Sequence, residues 1–386
     1  MASQNPPANA VQFSACFPNW TADSLEQRIG IEAGSRWGLP EIGLFKLLRE
    51  RRGRALPASL KNYLSEATRR VDESQDIKKV VELLASNWRQ HTQSDLLRLA
   101  GIFAPFFSLL AEVLEQPDPP DPDRPTRDSA NASYAEAVSE SSQSSLSSDG
   151  SAMHEPPAKR LRETRSGDSY HPSHQSDQST FERQVKSEFT TNACAFHFLE
   201  CVTESTRNKD DPKPSFRLEW SLTQDTFTVD TPKSRFSSTN DGNLVYRASS
   251  LSGEWTRRTD LSYCSIEAKS HYNLTTNAFS SEGQEGAHMI GMLFQRLANT
   301  QQGGKAASDI IPIISARQNM FYIVIGTFPE SYHQYLRTGI DTNGLVFGQL
   351  DEYGPFDMRK TEDFETMCYI CVALVLHLEE ICARGQ

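Results

Sequence analysis

The chain has 386 residues, 37% of them hydrophobic, and a formal net charge of −11 at pH 7. This length is enough for two domains, and the low hydrophobic fraction indicates that part of the chain does not pack into a core. The acidic balance argues against indiscriminate binding of nucleic acid by the whole molecule and is compatible with a local basic groove.

The first residues and the cysteines are typical of an intracellular protein. The chain begins MASQNPPANAVQFSACFPNW, with no basic start followed by an apolar core, so no secretory signal is predicted. No stretch is expected to reach the apolar length that spans a bilayer. Seven cysteines, an odd number, indicate reduced thiols. Cys368 and Cys371 form a CxxC in an apolar helical run, which favours buried core thiols over a zinc site.

Helices are predicted after a flexible N-terminus at 1–19. Between residues 20 and 115, apolar residues recur three or four apart, with Pro and Gly between the segments. The predicted helices cover 24–38, 41–53, 58–71, 76–91 and 94–116. Together they predict a small helical region ahead of the rest of the fold.

Residues 116–180 are rich in Pro, Ser and Asp and nearly lack large aliphatic residues, which predicts a disordered linker. Within it, PPAKRLRETR places four basic side chains after two prolines: Lys159, Arg160, Arg162 and Arg165. An exposed cluster of this kind is typical of a nuclear-import signal that binds an import receptor, although such clusters also occur by chance in linkers. Its isolation in a Ser-rich, acidic segment favours import and therefore a nuclear location.

From residue 181 the pattern is mixed α/β. Helices are predicted at 181–204, 283–300 and 363–382, and strands at 215–222, 242–249, 261–269, 309–316, 320–328 and 344–350. This succession predicts one α/β domain at 181–386, of about 200 residues, a normal size for a single core.

The stretch CSIEAKS at 264–270 contains the main candidate for a functional site. Side chains alternate along a strand, so Glu267 and Lys269 share one face and the apolar residues between them point the other way. The simplest interpretation is an ion pair on a solvated face. The alternative is the metal-binding and charge-stabilising half of a nuclease site, and it requires a second acidic residue nearby.

Two aspartates are candidates for that second acid. Asp260 lies seven residues before Glu267, which in one extended strand separates the two by about 20 Å. Asp241 is farther away in sequence, but a turn signal near Gly253 folds 243–248 back on 262–269 and brings position 241 opposite the region of 267. The hairpin geometry favours Asp241 and keeps Asp260 in reserve.

The helix predicted at 283–300 supplies a further candidate, Gln284. It lies on one helix face with Ala287, Gly291 and Phe294. If the small residues on this face contact the sheet, Gln284 points toward the edge that carries Glu267. A capping role for a polar residue near a helix start is an equally good interpretation.

This arrangement resembles the PD-(D/E)XK nuclease superfamily. The stretches NDGNLVYR, GEW, IEAK and GQEGAHMIG resemble nuclease-like domains that are frequent in fungal proteins of unassigned role. The resemblance covers roughly 181–386 and implies a restriction-endonuclease-like domain, a central mixed sheet flanked by helices. The sequence departs from the family pattern in two ways: no Pro precedes Asp241, and the gap from Asp241 to Glu267 is long.

The resemblance also implies a function and a set of residue roles. Asp241 and Glu267 would bind Mg²⁺ or Mn²⁺, Lys269 would lie beside the attacked phosphate, and Gln284 would position the nucleophile. An acid from the first helix, Glu188 or Glu200, could join them. The implied activity is hydrolysis of phosphodiester bonds in DNA or RNA. The alternatives are a catalytically silent member of the fold that binds nucleic acid or a protein, and an adaptor that recruits partners.

Overall fold

A mixed β-sheet of seven strands forms the centre of the structure, which is a computed structural model. The described residues contain nine strands, seven in this sheet and two in a separate hairpin: Leu47–Gly53 (β1), Phe216–Ser221 (β2), Thr226–Asp230 (β3), Arg235–Thr239 (β4), Gly242–Ser249 (β5), Trp255–Lys269 (β6), Ile310–Arg317 (β7), Met320–Thr327 (β8) and Gly348–Asp357 (β9). The sheet order is β1-β9-β8-β7-β6-β5-β2, and β3 and β4 form a separate hairpin. β1 is parallel to β9 and β6 is parallel to β7, whereas the other neighbours are antiparallel.

The structure describes residues 6–17, 25, 31, 33–115, 175–207, 216–232, 235–249, 254–269, 278–301, 310–341 and 346–385. The predicted import signal, with Lys159, Arg160, Arg162 and Arg165, lies outside them, as does most of the predicted linker. By its contacts, the chain divides into a unit of Met1–Gln116 with Phe181–Gln386 and a second unit of Pro117–Thr180. The predicted helical region at 20–115 and the α/β region at 181–386 thus belong to the same unit.

Helices cover both faces of the sheet, as predicted. They are Ala10–Cys16 (α1), Leu39–Leu44 (α2), Lys61–Glu73 (α3), Gln75–Ala85 (α4), Gln93–Ala100 (α5), Ala104–Glu115 (α6), Gln175–Thr206 (α7), Ala278–Gln301 (α8), Glu330–Thr338 (α9) and Thr361–Gly385 (α10). One core contains residues of α3 to α7 and α10 with Cys264, Ile266 and Ile314 of the sheet. A second core, on the other face, contains α8 and α9 with Ile313 and Val324.

The prediction of a helix at 41–53 is wrong for its second half, which forms β1. The helix ends at Leu44, and Lys46 follows with φ of +49°, a left-handed conformation that interrupts a helix. β1 then pairs in parallel with β9, with Leu47 opposite Gly348. Leu47 and Leu48 are buried there, so tertiary packing overrides the helix propensity of LLRERR.

The β3–β4 hairpin was not predicted, and it changes the surroundings of α8. This helix lies between the main sheet, through β6 and β7, and a second layer made of the hairpin and the turn at Gly34–Arg36. Gly291 faces Phe227 of β3 so closely that a β-carbon there would lie 2.4 Å from the Phe227 Cβ. Ala287 and Gly291 of α8 therefore contact this second layer, and not the main sheet as expected.

The segment 1–19 was predicted to be flexible, but residues 10–16 of it form α1. Asn9 caps this helix by accepting a hydrogen bond from the Gln12 N–H at 3.0 Å. Phe13 is buried and contacts the rings of Phe17 and Phe347. A short helix with one well-buried aromatic residue is enough to order this stretch.

The expectation that no stretch has the length and apolar character of a membrane span is wrong. Among the described residues, the helical segments Gln93–Glu115 and Thr361–Arg384 have both. In their most apolar windows 44% and 56% of the residues, respectively, are buried inside the protein. Core helices pass the same test, so length and composition are weak grounds for a membrane role.

Candidate active site

Glu267 and Lys269 lie at the end of β6 on the face that packs against α8. Cys264 and Ile266 belong to the opposite core and Ala268 is buried, so the strand alternates as the sequence predicted. The pair is not a solvated ion pair, because Glu267 is only 3% exposed. The Lys269 Nζ lies 2.5 Å from the Glu267 Oε1.

Asp241 lies next to this pair, immediately before β5. Gly242 pairs with Ile266, and the Asp241 N–H donates to the Ile266 carbonyl at 3.1 Å, which matches the hairpin register expected from the sequence. The Asp241 Oδ2 accepts the Ala268 N–H at 2.8 Å. Asn192 of α7 donates to the Asp241 backbone carbonyl at 2.8 Å and ties the site to that helix.

The two carboxyl groups perturb each other in opposite directions. Burial, together with repulsion by Glu267, raises the pKa of Asp241 to about 6. Burial also opposes ionisation of Glu267, but Lys269 and His288 outweigh it and hold the pKa of Glu267 below its ordinary value. Glu267 is therefore the ionised member of the pair, and Asp241 is the member that takes up a proton as the pH falls through about 6.

The structure distinguishes between the two acids of α7. Glu188 is half-buried. Burial lowers the pKa of Lys269, but Glu267, then Asp241 and, more weakly, Glu188 raise it above its ordinary value. Glu200 is exposed three turns farther along the helix, where it pairs with His197 at 3.5 Å. Glu188, and not Glu200, belongs to the group around Lys269.

His288 is a member of the site that the sequence analysis missed. Its Nε2 lies 2.7 Å from the Glu267 Oε2, and its Nδ1 is hydrogen-bonded to the Ser238 hydroxyl of β4. A histidine in an apolar helix is usually a core residue, so the helical pattern gave no reason to single out His288. Its spacing gave no usable signal, because it follows by one helical turn Gln284, whose side chain contacts the second layer.

The predicted role of Gln284 does not agree with its contacts. α8 begins at Ala278, so Gln284 lies in the second turn and not in the first. Its Nε2 donates to the Ser35 carbonyl at 3.0 Å, in the second layer, and its Oε1 is buried without a hydrogen-bond partner. The Gln284 side chain is therefore bonded to the second layer, which does not agree with a role in positioning the nucleophile.

Asp260 lies in β6, seven residues before Glu267, and its side chain is outside the described part of the structure. The hydrogen bonds of Asp241 to Ile266 and Ala268 place Asp241 beside Glu267, in the position for which Asp260 was the alternative candidate.

A buried ionic cluster continues from the site along the same face of the sheet. Arg317 of β7 is the strand neighbour of Lys269 and donates to the Glu285 Oε1 at 2.9 Å. Arg49 of β1 contacts Glu285 at 2.5 Å and also Glu352 of β9. Arg49 and Arg317 outweigh the effect of burial and lower the pKa of Glu285 to about 2, so this cluster is fully ionised.

The donor set fits a hard divalent cation in its chemistry. Carboxylate oxygens are the ligands that Mg²⁺ prefers, and a cation beside Asp241 would replace its repulsion from Glu267 by attraction. Within the described residues, however, no group of three or more His, Cys, Asp or Glu side chains has a metal-holding arrangement. Asp241 and Glu267 would need water or substrate oxygens as the other ligands, which Mg²⁺ sites commonly use.

Comparison with models of known protein families gives no match, and comparison with curated proteins gives none either.

Proposed function

We propose that this chain is a nuclear, metal-dependent nuclease with a restriction-endonuclease-like core, which hydrolyses phosphodiester bonds in DNA or RNA. The observation that carries the proposal is the cluster of Asp241, Glu267 and Lys269 at the ends of two paired strands. Buried carboxylates that repel each other beside a lysine are rarely retained for stability alone, and perturbed groups of this kind are typical of functional sites.

The contacts support a proposed role for each residue of the site. Asp241 and Glu267 would hold Mg²⁺ or Mn²⁺, which lowers the pKa of a bound water and polarises the phosphoryl oxygen. Lys269 carries its charge at the edge of the site and would stabilise negative charge that develops on the phosphate. Glu188 keeps the ammonium protonated from the side of α7, together with the two carboxylates.

One observation favours a second candidate, a nuclease-like protein that binds nucleic acid or a protein without cleavage. Both oxygens of Glu267 are engaged, one by Lys269 and the other by His288. A cation would have to share a Glu267 oxygen with one of these donors or displace Lys269. If neither happens, the fold is present without its chemistry.

Titration of the full chain with Mg²⁺ and Mn²⁺ on a mixed panel of DNA and RNA, single- and double-stranded, tests the proposal. The full chain is required because residues from 33–115 contribute to the core. Glu267→Gln, which removes a charge at nearly constant volume, is expected to reduce metal-dependent cleavage by about 100-fold or more. The matched control is Glu200→Gln, a change of an exposed side chain on α7, and this variant should cleave as the wild type does. Cleavage that survives in Glu267→Gln would contradict the proposed site.

Lys269→Ala separates the two roles in the site. It is expected to lose cleavage and to keep metal binding, because the lysine acts on the phosphate and not on the ion. Metal binding measured by calorimetry beside the cleavage assay checks this. Stimulation of cleavage by Lys269→Ala would show instead that the lysine blocks the metal site, as the second candidate requires.

A further inference from the structure

Three buried side chains from three separate elements form one hydrogen-bonded chain behind the proposed metal site. Ser238 of β4 contacts the His288 Nδ1, and the His288 Nε2 lies 2.7 Å from the Glu267 Oε2. All three residues are 3% exposed or less, so substrate cannot reach the serine and the chain is not a nucleophilic triad.

The chemistry of the partners fixes the protons along this chain. The Glu267 carboxylate is paired with the Lys269 ammonium and can only accept, so the His288 Nε2 carries the hydrogen that lies between them. In the neutral ring the Nδ1 is then an acceptor, and the Ser238 hydroxyl donates to it. If Ser238 did not donate to Nδ1, the ring could adopt the other tautomer, in which the Nε2 lone pair would face the Glu267 carboxylate.

Lys269 alone would be enough to neutralise Glu267, so the second donor has a different effect. Torsion about the bond to a carboxylate group is soft, and one contact at the Oε1 does not fix its plane. Donors at both oxygens, from β6 and from α8, do fix it. The serine is itself held in place, because Gly34 packs so closely that a β-carbon there would lie 2.7 Å from the Ser238 Cβ.

We propose that His288 is a positioning residue, held in one tautomer by Ser238, which orients the Glu267 carboxylate for metal binding. The inference rests on the proposed function. It gives the β3–β4 hairpin a role in the site, because the hairpin supplies the Ser238 hydroxyl that fixes the tautomer of His288.

The test measures Mn²⁺ affinity of the full chain by electron paramagnetic resonance, beside thermal unfolding. His288→Ala is expected to weaken Mn²⁺ binding by about 10–100-fold, the usual cost of removing a hydrogen bond behind a metal ligand. His288→Gln, whose amide can still donate to Glu267, should restore most of that loss, and Ser238→Ala should fall between the two. The matched control is His333→Gln, which removes a His–Glu pair on α9 and should bind as the wild type does.

A second readout is independent of metal. In the metal-free wild-type chain labelled with ¹⁵N-histidine, the ring assigned to His288 by its loss in His288→Gln should be protonated at Nε2 and not at Nδ1. A ring that carries hydrogen on Nδ1, alone or together with Nε2, would overturn the inference, as would wild-type Mn²⁺ affinity in a folded His288→Ala or Ser238→Ala variant. If His288→Ala does not fold, Ser238→Ala decides. A wild-type chain that binds no Mn²⁺ overturns the proposed function and the inference with it.

Discussion

Folding makes the Asp241 carboxyl group harder to ionise than it is in the unfolded chain. Its pKa is raised from 3.8 to about 6 by burial and by Glu267. The folded state therefore holds the proton more tightly than the unfolded state does, and ionisation above this pKa favours unfolding. The stabilising effect is complete below about pH 4 and is lost as the pH rises through about 6.

Asp241→Asn should therefore be more stable than the wild type at about pH 8 and equally stable at about pH 4. The asparagine keeps an oxygen that accepts the Ala268 N–H and has no charge. The gain is at most about 3 kcal/mol, at about 1.4 kcal/mol for each pKa unit. Thermal unfolding at both pH values measures it, with the exposed Asp230→Asn as control. Equal stability of Asp241→Asn and the wild type at high pH would show that burial and Glu267 do not raise the pKa of Asp241.

Added Mg²⁺ should reverse this order of stability. A cation bound by the two carboxylates stabilises the wild type in proportion to its affinity. Asp241→Asn, which lacks one ligand charge, should gain little. Unfolding midpoints with Mg²⁺ and with a chelator, at about pH 8, make the comparison. A wild-type midpoint that does not respond to Mg²⁺ would count against the metal site.

The sequence was sufficient for part of the site because local rules decide that part. Strand alternation places Glu267 and Lys269 on one face, and the hairpin register brings Asp241 to them. His288 and Gln284 depend on which layer each face of α8 contacts. TFTVD in β3 does alternate polar and apolar residues as a strand does. This local pattern does not show which helix the hairpin covers, so the partners of each face of α8 were not predictable.

At the scale of elements, β1 is held to the sheet partly by Arg49. The Arg49 guanidinium lies between Glu285 and Glu352, and its side chain is 3% exposed. Its loss would leave these two carboxylates with Arg317 as the remaining buried cation near both. β1 thus adds a backbone ladder and also the charge that its neighbours need.

Arg49→Ala is expected to lower the free energy of unfolding by about 3–5 kcal/mol, as when one partner of a buried ion pair is removed. Arg52→Ala on the same strand removes an exposed contact with Glu50 and Asp351 and should cost about 1 kcal/mol or less. Urea unfolding of both variants gives the comparison. Equal small losses would mean that the cluster adds no net stability to the sheet.

Local pattern alone could not predict β1 or the full length of β9. LFKLLRERR contains strong helix formers, and its apolar residues are spaced for either structure. What selects the strand is pairing with residues about 300 positions away, from Leu47 opposite Gly348 onward. β9 continues through DEYGPFD, where charged residues and a proline argue against a strand, because Glu352 lies within the buried ionic cluster.

At the scale of the whole molecule, the described core is built from both sides of the predicted linker. Replacing 117–180 by a flexible linker of about 20 Gly and Ser residues should leave the unfolding midpoint within a few degrees of the wild type. The fragment 181–386 alone should fail to unfold cooperatively, because it lacks β1 and the helices α3 to α6 of the first core. Circular dichroism melts test both, and a cooperative melt of the fragment would contradict the shared core.

Location in the cell is a separate prediction. Replacing Lys159, Arg160 and Arg162 by Ala should leave a fluorescent fusion of the full chain in the cytoplasm, because an import receptor reads an exposed basic cluster. The control replaces Arg69, Arg70 and Lys79, which lie on helices α3 and α4. Nuclear accumulation that persists in the first variant would remove the basis for a nuclear nuclease.

The pairing of β1 with β9 also has a consequence for how the protein is made. β1 leaves the ribosome about 300 residues ahead of its partner strand. At about 5–20 residues per second, this leaves the nascent chain for roughly 15–60 seconds with Leu47, Leu48 and the Arg49 guanidinium uncovered. Translation must pass the strand at 348–357 before the edge of the sheet can close. A newly made chain would therefore depend on chaperones during this interval more than a protein whose neighbouring strands follow each other in sequence.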